Sequence, residues 1–133
     1  MTVEDILHQH NLKSTGCRKL ILSELLESRT ALAESEMKVS YPGLFDRVTF
    51  YRTLKTLEDA GAIHKIVLQD NTTKYAISRH LGHEQDIHSH FHCGKCDEVF
   101  CLQNKIRLDI ELPQGFVRHN ISMVVEGLCA ACN

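Results

Sequence analysis

The 133-residue sequence predicts an α+β protein built from two small domains. Residues up to about 60 carry apolar side chains at the spacing of helices, whereas residues 62–77 change to the alternation typical of strands. The remainder is rich in side chains that bind metals, since five of the 6 Cys lie between Cys93 and Cys132. Six of the 9 His lie between His64 and His92. These observations divide the chain into a helical half and a metal-binding half.

The composition excludes several classes of protein. The sequence is 43% hydrophobic and 24% charged, which is typical of a folded chain and not of a disordered one. It contains no run near ~18 apolar residues, so we expect no membrane span. The first ten residues, MTVEDILHQH, lack the basic start and apolar core of a signal peptide. We therefore expect a cytoplasmic protein, in which clustered Cys and His favour metal binding over disulfides.

Four helices are predicted in the first half. The first two begin after Thr2 and Thr15, because Thr is a good N-cap. A weaker third helix lies within residues 34–44 and is interrupted by a turn at residues 41–43. The clearest helix begins after Asp46 and ends near Gly61, a favourable C-terminal cap. The predicted core positions on the first, second and fourth helices are Val3, Ile6, Leu7, Cys17, Leu20, Ile21, Leu25, Phe50, Leu54 and Leu57.

A β-hairpin follows these helices. Residues 63–68 and 73–77 alternate as two strands around a polar turn at residues 69–72. Helices followed by a hairpin are typical of a winged helix-turn-helix domain, here residues 1–79. In such a domain the last helix enters the DNA major groove and the wing lies along the backbone.

Cations and hydroxyls on the last helix, together with one arginine of the second helix, are therefore candidate DNA contacts. The candidates are Arg18, Arg47, Thr49, Tyr51 and Arg52. A solvated helix face would show the same charges, and Tyr51 also fits a core position. Residues 1–80 hold 11 Lys+Arg and 10 Asp+Glu, a net charge of +1. So small a charge predicts that affinity for double-stranded DNA depends on dimerisation, which doubles the contacts.

The second half begins after a polar segment, residues 80–87, which we interpret as a hinge. Residues 88–133 form the predicted second domain, with strand patterns at residues 88–100, 106–110 and 120–126. Cys93 and Cys96 form one CxxC pair, and Cys129 and Cys132 form another. Two such pairs supply the four thiolates of a structural zinc site, which would stabilise a domain too small for a large core. The alternatives are a pair of disulfides or redox-active CxxC motifs.

Histidines near the first CxxC pair predict a second metal site. His88 and His90 are two residues apart on a predicted strand, so their side chains share a face. His83 lies at the end of the hinge, His64 on the first wing strand, and Cys101 five residues past Cys96. We predict these five residues as ligands of a regulatory metal, with His80 as an alternative in the hinge. His92 is predicted to be structural or exposed.

With these residues established, the chain resembles the ferric uptake regulator family of bacterial metal-dependent repressors. The resemblance rests on Val48-Thr49-Phe50-Tyr51-Arg52-Thr53-Leu54, on His88-x-His90-x-x-Cys93-x-x-Cys96, and on Gly127-x-Cys129-x-x-Cys132. It implies a homodimer that binds a DNA operator, with an N-terminal winged helix and a C-terminal α/β dimerisation domain. It also implies a structural zinc on the four cysteines and a regulatory metal at the hinge.

Departures from the family pattern suggest which metal is regulatory. Iron- and peroxide-sensing members usually have a carboxylate after the aromatic residue of the second wing strand, where this chain has Ala76. Cys101 also stands where they have a carboxylate, and residues 31–33 lack their usual His. His64, His83, His88 and His90 instead resemble the zinc-sensing pattern, although His83 replaces a common Cys.

The prediction is therefore a zinc-responsive repressor that controls metal homeostasis genes, with structural Zn²⁺ and a regulatory Zn²⁺ or Fe²⁺. The alternatives are an iron- or peroxide-responsive regulator of the same family and a thiol redox switch. An enzyme is not expected, because no nucleophile is paired with a base.

Overall fold

The computed structural model describes residues 1–78, 88–102, 110–119 and 121–133. The chain forms two compact units, Met1–Arg79 and His80–Asn133. The predicted hinge at residues 80–87 and the predicted strand at residues 106–110 lie outside the described residues, except for Ile110, which is not in a strand. Within the described residues, no helix has the length and apolar character needed to cross a membrane.

The first unit contains four helices and a hairpin, in the predicted order. They are α1 (Val3–Gln9), α2 (Gly16–Glu27), α3 (Glu34–Lys38), α4 (Arg47–Asp59), β1 (Ile63–Val67) and β2 (Thr73–Ile77). The predicted N-caps are confirmed, because the side chains of Thr2, Thr15 and Asp46 each accept a hydrogen bond from a backbone amide in the first turn. The third helix is shorter than predicted and ends before the turn at residues 41–43.

The helices pack around one apolar core. Leu54 and Leu57 of α4 are almost fully buried, as are Ile21 and Leu22 of α2 and Met37 of α3. Cys17 is also buried in this cluster, so it contributes to packing. The core holds α4 by one face and leaves its other face exposed.

The hairpin pairs β1 with β2 antiparallel, with Ile63 opposite Ile77. Asn71 adopts a left-handed conformation, φ 66°, in the connecting turn. Leu32 and Tyr75 exchange two backbone hydrogen bonds of 2.9 and 2.7 Å, which ties the segment before α3 to the wing. Lys74 is buried and its ammonium lies 3.6 Å from a carboxylate oxygen of Glu36 on α3.

The second unit contains a three-stranded sheet in the order β4-β3-β5, where β3 is His88–Cys93, β4 is Val99–Leu102 and β5 is Ser122–Gly127. β3 and β4 are antiparallel, whereas β3 and β5 are parallel. The parallel register places Gly127 opposite Cys93, and the Gly94 amide donates to the Gly127 carbonyl at 2.8 Å. Since Cys129 follows Gly127 by two residues, this register brings the two CxxC pairs together.

Candidate metal centre and DNA-binding helix

The four cysteines of the two CxxC pairs converge at one end of the sheet in the second unit. Their sulfur atoms all lie within 4.8 Å of one another. Cys96 Sγ and Cys129 Sγ are 3.8 Å apart. Two sulfurs bound to one tetrahedral zinc at ~2.3 Å are separated by about 3.8 Å, so this pair already has the spacing of zinc ligands. Four thiol groups at this spacing fit a structural zinc.

Backbone amides favour the ionised form of one of these thiols. The amides of Cys96 and Cys129 donate to Cys93 Sγ at 3.5 and 3.4 Å. These hydrogen bonds lower the pKa of the Cys93 thiol from 9.0 to about 6. The opposite effect occurs at Cys132, where the hydrogen bond with Cys129, burial and the other thiols raise the pKa to about 12. Neighbouring thiols therefore resist full ionisation together, and a bound cation relieves that repulsion.

A second group of candidate ligands lies on β3 and β4. His90 and Cys101 are directly opposite each other in the antiparallel pairing. A ring nitrogen of His90 and Cys101 Sγ lie within 4.8 Å of each other. His90 is buried, whereas Cys101 is exposed. The pair offers one imidazole and one thiol to a metal ion.

Of the other predicted regulatory ligands, His64 is the one whose side chain lies within the described residues. His64 is half-buried on β1 of the first unit, where its Nδ1 lies 3.3 Å from the Ser78 hydroxyl. His80 and His83 lie outside the described residues. The backbone of His88 begins β3, but its side chain also lies outside what the structure describes.

His92 has a role that the sequence did not specify. Its Nε2 lies 2.5 Å from Asp97 Oδ1, and its Nδ1 lies 3.9 Å from Glu126 Oε1. Asp97 directly follows the first CxxC pair, and Glu126 precedes the second on β5. The imidazole on β3 therefore contacts both the loop after the first CxxC pair and the strand that precedes the second pair, which supports the interpretation of His92 as structural.

Helix α4 presents the predicted DNA contacts. Asp46 caps it, since the Asp46 carboxylate accepts the Thr49 amide at 2.8 Å. Phe50, Leu54 and Leu57 face the core. The four candidate contacts on this helix are all exposed, and they are Arg47, Thr49, Tyr51 and Arg52. Tyr51 is 58% exposed, so the alternative of a core tyrosine is wrong.

The remaining DNA candidate, Arg18, is half-buried near the start of α2. Its guanidinium donates to the Lys13 carbonyl at 2.7 Å, which fixes the connection between α1 and α2. One guanidinium nitrogen thus has a structural contact. Lys55, which the sequence interpretation omitted, is exposed on α4 beyond Arg52.

A comparison with known protein families identifies the family of this chain. The sequence model of the Ferric uptake regulator family matches residues 9–125. The chain belongs to the ferric uptake regulator family. It is therefore a metal-responsive, DNA-binding transcriptional repressor, and the predicted family is confirmed.

Two proteins described as ferric uptake regulators are similar to this chain. The ferric uptake regulation protein of Campylobacter jejuni is 29% identical over 137 residues, which span 96% of this chain and 84% of that protein. The ferric uptake regulator Fur of Helicobacter pylori, whose structure has three functional metal-binding sites, superposes with a TM-score of 0.63. It is 20% identical, and the match covers 99% of this chain and 94% of that one.

A zinc uptake regulator in complex with zinc and DNA superposes with a TM-score of 0.65 at 23% identity. The match covers 96% of this chain and 88% of that chain. These structural matches confirm the predicted fold class, a winged-helix DNA-binding domain followed by a small α/β domain with a four-cysteine cluster.

Proposed function

We propose that this family member represses its operators in response to zinc. The observation that supports this most strongly is the cross-strand pair of His90 and Cys101 on β3 and β4. Imidazole and thiolate donors suit Zn²⁺, whereas Fe²⁺ and Mn²⁺ favour sites that include carboxylate oxygens. A zinc uptake regulator bound to zinc and DNA is among the proteins with the same fold.

We assign His64, His83 and His88 as further ligands, on the basis of the sequence pattern. Neutral imidazoles from these residues would complete a nitrogen-rich shell around the metal. Because His64 belongs to the winged-helix unit and His90 to the second unit, a metal bound by both would select one arrangement of the two units. The proposed response is such a shift toward the arrangement that binds DNA.

We assign Cys93, Cys96, Cys129 and Cys132 to a separate, structural zinc. The spacing of their sulfurs and the amides directed at Cys93 support this assignment. This metal would close the small sheet permanently, so it would not take part in sensing.

We further propose that the protein acts as a homodimer. The second unit exposes large apolar side chains at Ile110, Leu112, Phe116, Val117, Val125 and Leu128. Exposed apolar groups in such number mark interaction surfaces, and a second copy would cover them. Two copies would also present two α4 helices to a palindromic operator. If this surface forms the dimer, Phe116→Asp should sediment as a monomer. A variant that forms dimers at the same protein concentrations as wild type would contradict the proposal.

Iron-responsive repression is the alternative, favoured by the similarity to the ferric uptake regulation protein of Campylobacter jejuni. The two functions differ in the metal that the second site prefers. Replacing Cys101 with Asp supplies an oxygen donor at the same position and tests this difference directly.

The experiment compares wild type, Cys101→Asp and Cys101→Ser, each loaded with structural zinc and then titrated with Zn²⁺ or, anaerobically, with Fe²⁺. A DNA duplex, selected from a random library by the zinc-loaded wild type, reports binding by fluorescence anisotropy. We expect zinc to activate wild type at a lower concentration than iron. Cys101→Ser should require at least roughly tenfold more zinc, and Cys101→Asp should shift toward iron.

His119→Ala is the matched control for the loss of a ligand, because His119 is exposed in the second unit and is not assigned to a metal. It should respond to zinc as wild type does. Activation of wild type by iron at a lower concentration than zinc would support the alternative. An unchanged zinc response in Cys101→Ser would remove Cys101 from the site.

A further inference from the structure

Val48 is an exposed apolar residue on α4. It is the second residue of the helix and its side chain is 55% exposed. The buried residues of α4 are Phe50, Leu54 and Leu57, and at 100° per residue Val48 lies on the opposite face. Val48 therefore contributes nothing to the core of the winged-helix unit.

Valine is also a poor choice for the helix itself. β-Branched side chains have lower helix propensity than Ala, because one rotamer of χ1 is strongly preferred in a helix. An exposed valine thus costs some helix stability without stabilising the fold. The same preference holds its two methyl groups in a defined direction, which suits contact with an external partner.

The surroundings of Val48 indicate what that partner is. Arg52 and Lys55 follow it by four and seven residues, so the three side chains form a row along the exposed face of α4. Cations beside an apolar contact disfavour an apolar protein surface and match a polyanion. The row therefore fits the major groove of DNA, where phosphates flank the base edges.

One apolar group is available on the base edges of the major groove, the C5 methyl of thymine. Recognition helices contact base edges through their N-terminal residues, and Val48 is in the first turn of α4. We propose that Val48 packs against the C5 methyl of an operator thymine and thereby selects thymine at one position of each half-site. This inference depends on the proposed binding of DNA through α4.

The experiment uses operator DNA chosen by the wild-type protein. Zinc-loaded wild type selects duplexes from a random library, and each thymine of the resulting site is then replaced by deoxyuridine, which lacks only the methyl group. We expect one substitution per half-site to weaken wild-type binding about fourfold, the effect of losing one buried methyl group. In Val48→Ala that substitution should have no further effect, because its contact is already lost.

Val39→Ala is the matched control. Val39 directly follows α3 and is 76% exposed, so the change removes the same atoms from an exposed valine that lies on neither α4 nor the wing. This variant should retain the sensitivity of wild type to the loss of the thymine methyl. Circular dichroism of Val48→Ala should be unchanged, since an exposed side chain is removed.

Two results would overturn the inference in different ways. If Val48→Ala keeps the wild-type sensitivity at every thymine while Arg52→Ala loses affinity, α4 binds DNA but Val48 selects no thymine. If Arg52→Ala binds as tightly as wild type, α4 is not the DNA-binding helix, and both the proposed use of α4 and the role of Val48 fail.

Discussion

Replacing Cys93 with Ser tests whether a metal ion holds the second unit together. Cys93 is fully buried, and its sulfur accepts amides from both CxxC pairs at 3.5 and 3.4 Å. A serine hydroxyl keeps approximate size and polarity but is neither a thiolate nor a zinc ligand at neutral pH. The substitution therefore removes one of four proposed ligands with little change in volume.

The expected magnitude follows from the number of ligands. A structural zinc contributes an apparent ~10–16 kcal/mol of binding free energy at neutral pH. If four thiolates share this equally, losing one weakens zinc binding by a factor on the order of 100 to 1,000. Burial of apolar side chains can contribute little to the stability of the second unit, because the buried ones among its described residues are Cys93 and Val99. Burying one valine stabilises by only ~1.5–3 kcal/mol. The sheet should therefore open when zinc is lost.

Two measurements follow the two units separately. The chain has 3 Tyr and no Trp, and all three tyrosines, Tyr41, Tyr51 and Tyr75, are in the first unit. Tyrosine fluorescence thus reports the winged-helix unit alone, while amide hydrogen exchange on β3 and β5 reports the sheet. After dialysis against a competing chelator, Cys93→Ser should hold no zinc and lose exchange protection on both strands. Its tyrosine unfolding transition should match that of wild type.

Cys101→Ser is the control, because it makes the same chemical change on the neighbouring strand β4, outside the group of four cysteines. It should keep the structural zinc and the protection of β3. If Cys93→Ser binds zinc and protects its amides from exchange as wild type does, a metal ion bound by Cys93 does not hold the second unit together. Loss of protection in both variants would show that the sheet depends on thiols generally and not on the four-sulfur site.

Three further predictions concern the winged-helix unit. Leu54→Ala should lower the unfolding free energy of this unit by about 2–5 kcal/mol, because Leu54 is 1% exposed. Chemical denaturation measures this loss, and a smaller loss would contradict the packing described for Leu54. Thr15→Ala should lower the unfolding free energy by about 1 kcal/mol in the same assay, since the Thr15 hydroxyl caps α2. An unchanged unfolding free energy would argue against the cap. Hydrogen bonds from Thr49 lower the pKa of the Asp46 carboxyl below 3.8. The ionised form therefore stabilises the fold above that ordinary value, and the stabilisation is lost as the pH falls through the lowered pKa. The melting temperature of wild type should exceed that of Asp46→Asn at neutral pH, and the difference should vanish on acidification; a constant difference would contradict this.

Local signals in the sequence were sufficient for the order of the helices and the hairpin, but not for the end of the third helix. Thr2, Thr15 and Asp46 begin helices because each side chain accepts an amide only a few residues away. The turn around Asn71 likewise depends on its immediate neighbours. The third helix was predicted too long, because its apolar spacing was weak and the turn at residues 41–43 follows closely.

Signals that depend on distant residues were not sufficient. Alternation predicted that β2 has one buried face, yet Lys74, Tyr75, Ala76 and Ile77 are all buried. Lys74 lies against Glu36 of α3. The residue pattern of a single strand contains no information about a neighbouring helix, so this burial could not be predicted. For the same reason, the position of His92 between Asp97 and Glu126 was beyond sequence analysis.

The sequence by itself determined the family, the winged-helix plan and the types of metal ligand, because motifs and side-chain chemistry are properties of short segments. Only the tertiary structure decided which ligands meet. A strand pattern specifies neither neighbour nor direction, so the parallel pairing of β3 with β5 could not be predicted, although it is this pairing that places Cys93 beside Cys129. The antiparallel pairing of β3 with β4 likewise sets His90 opposite Cys101. Long-range strand pairing thus converts two separate CxxC motifs and a further thiol into two candidate metal centres.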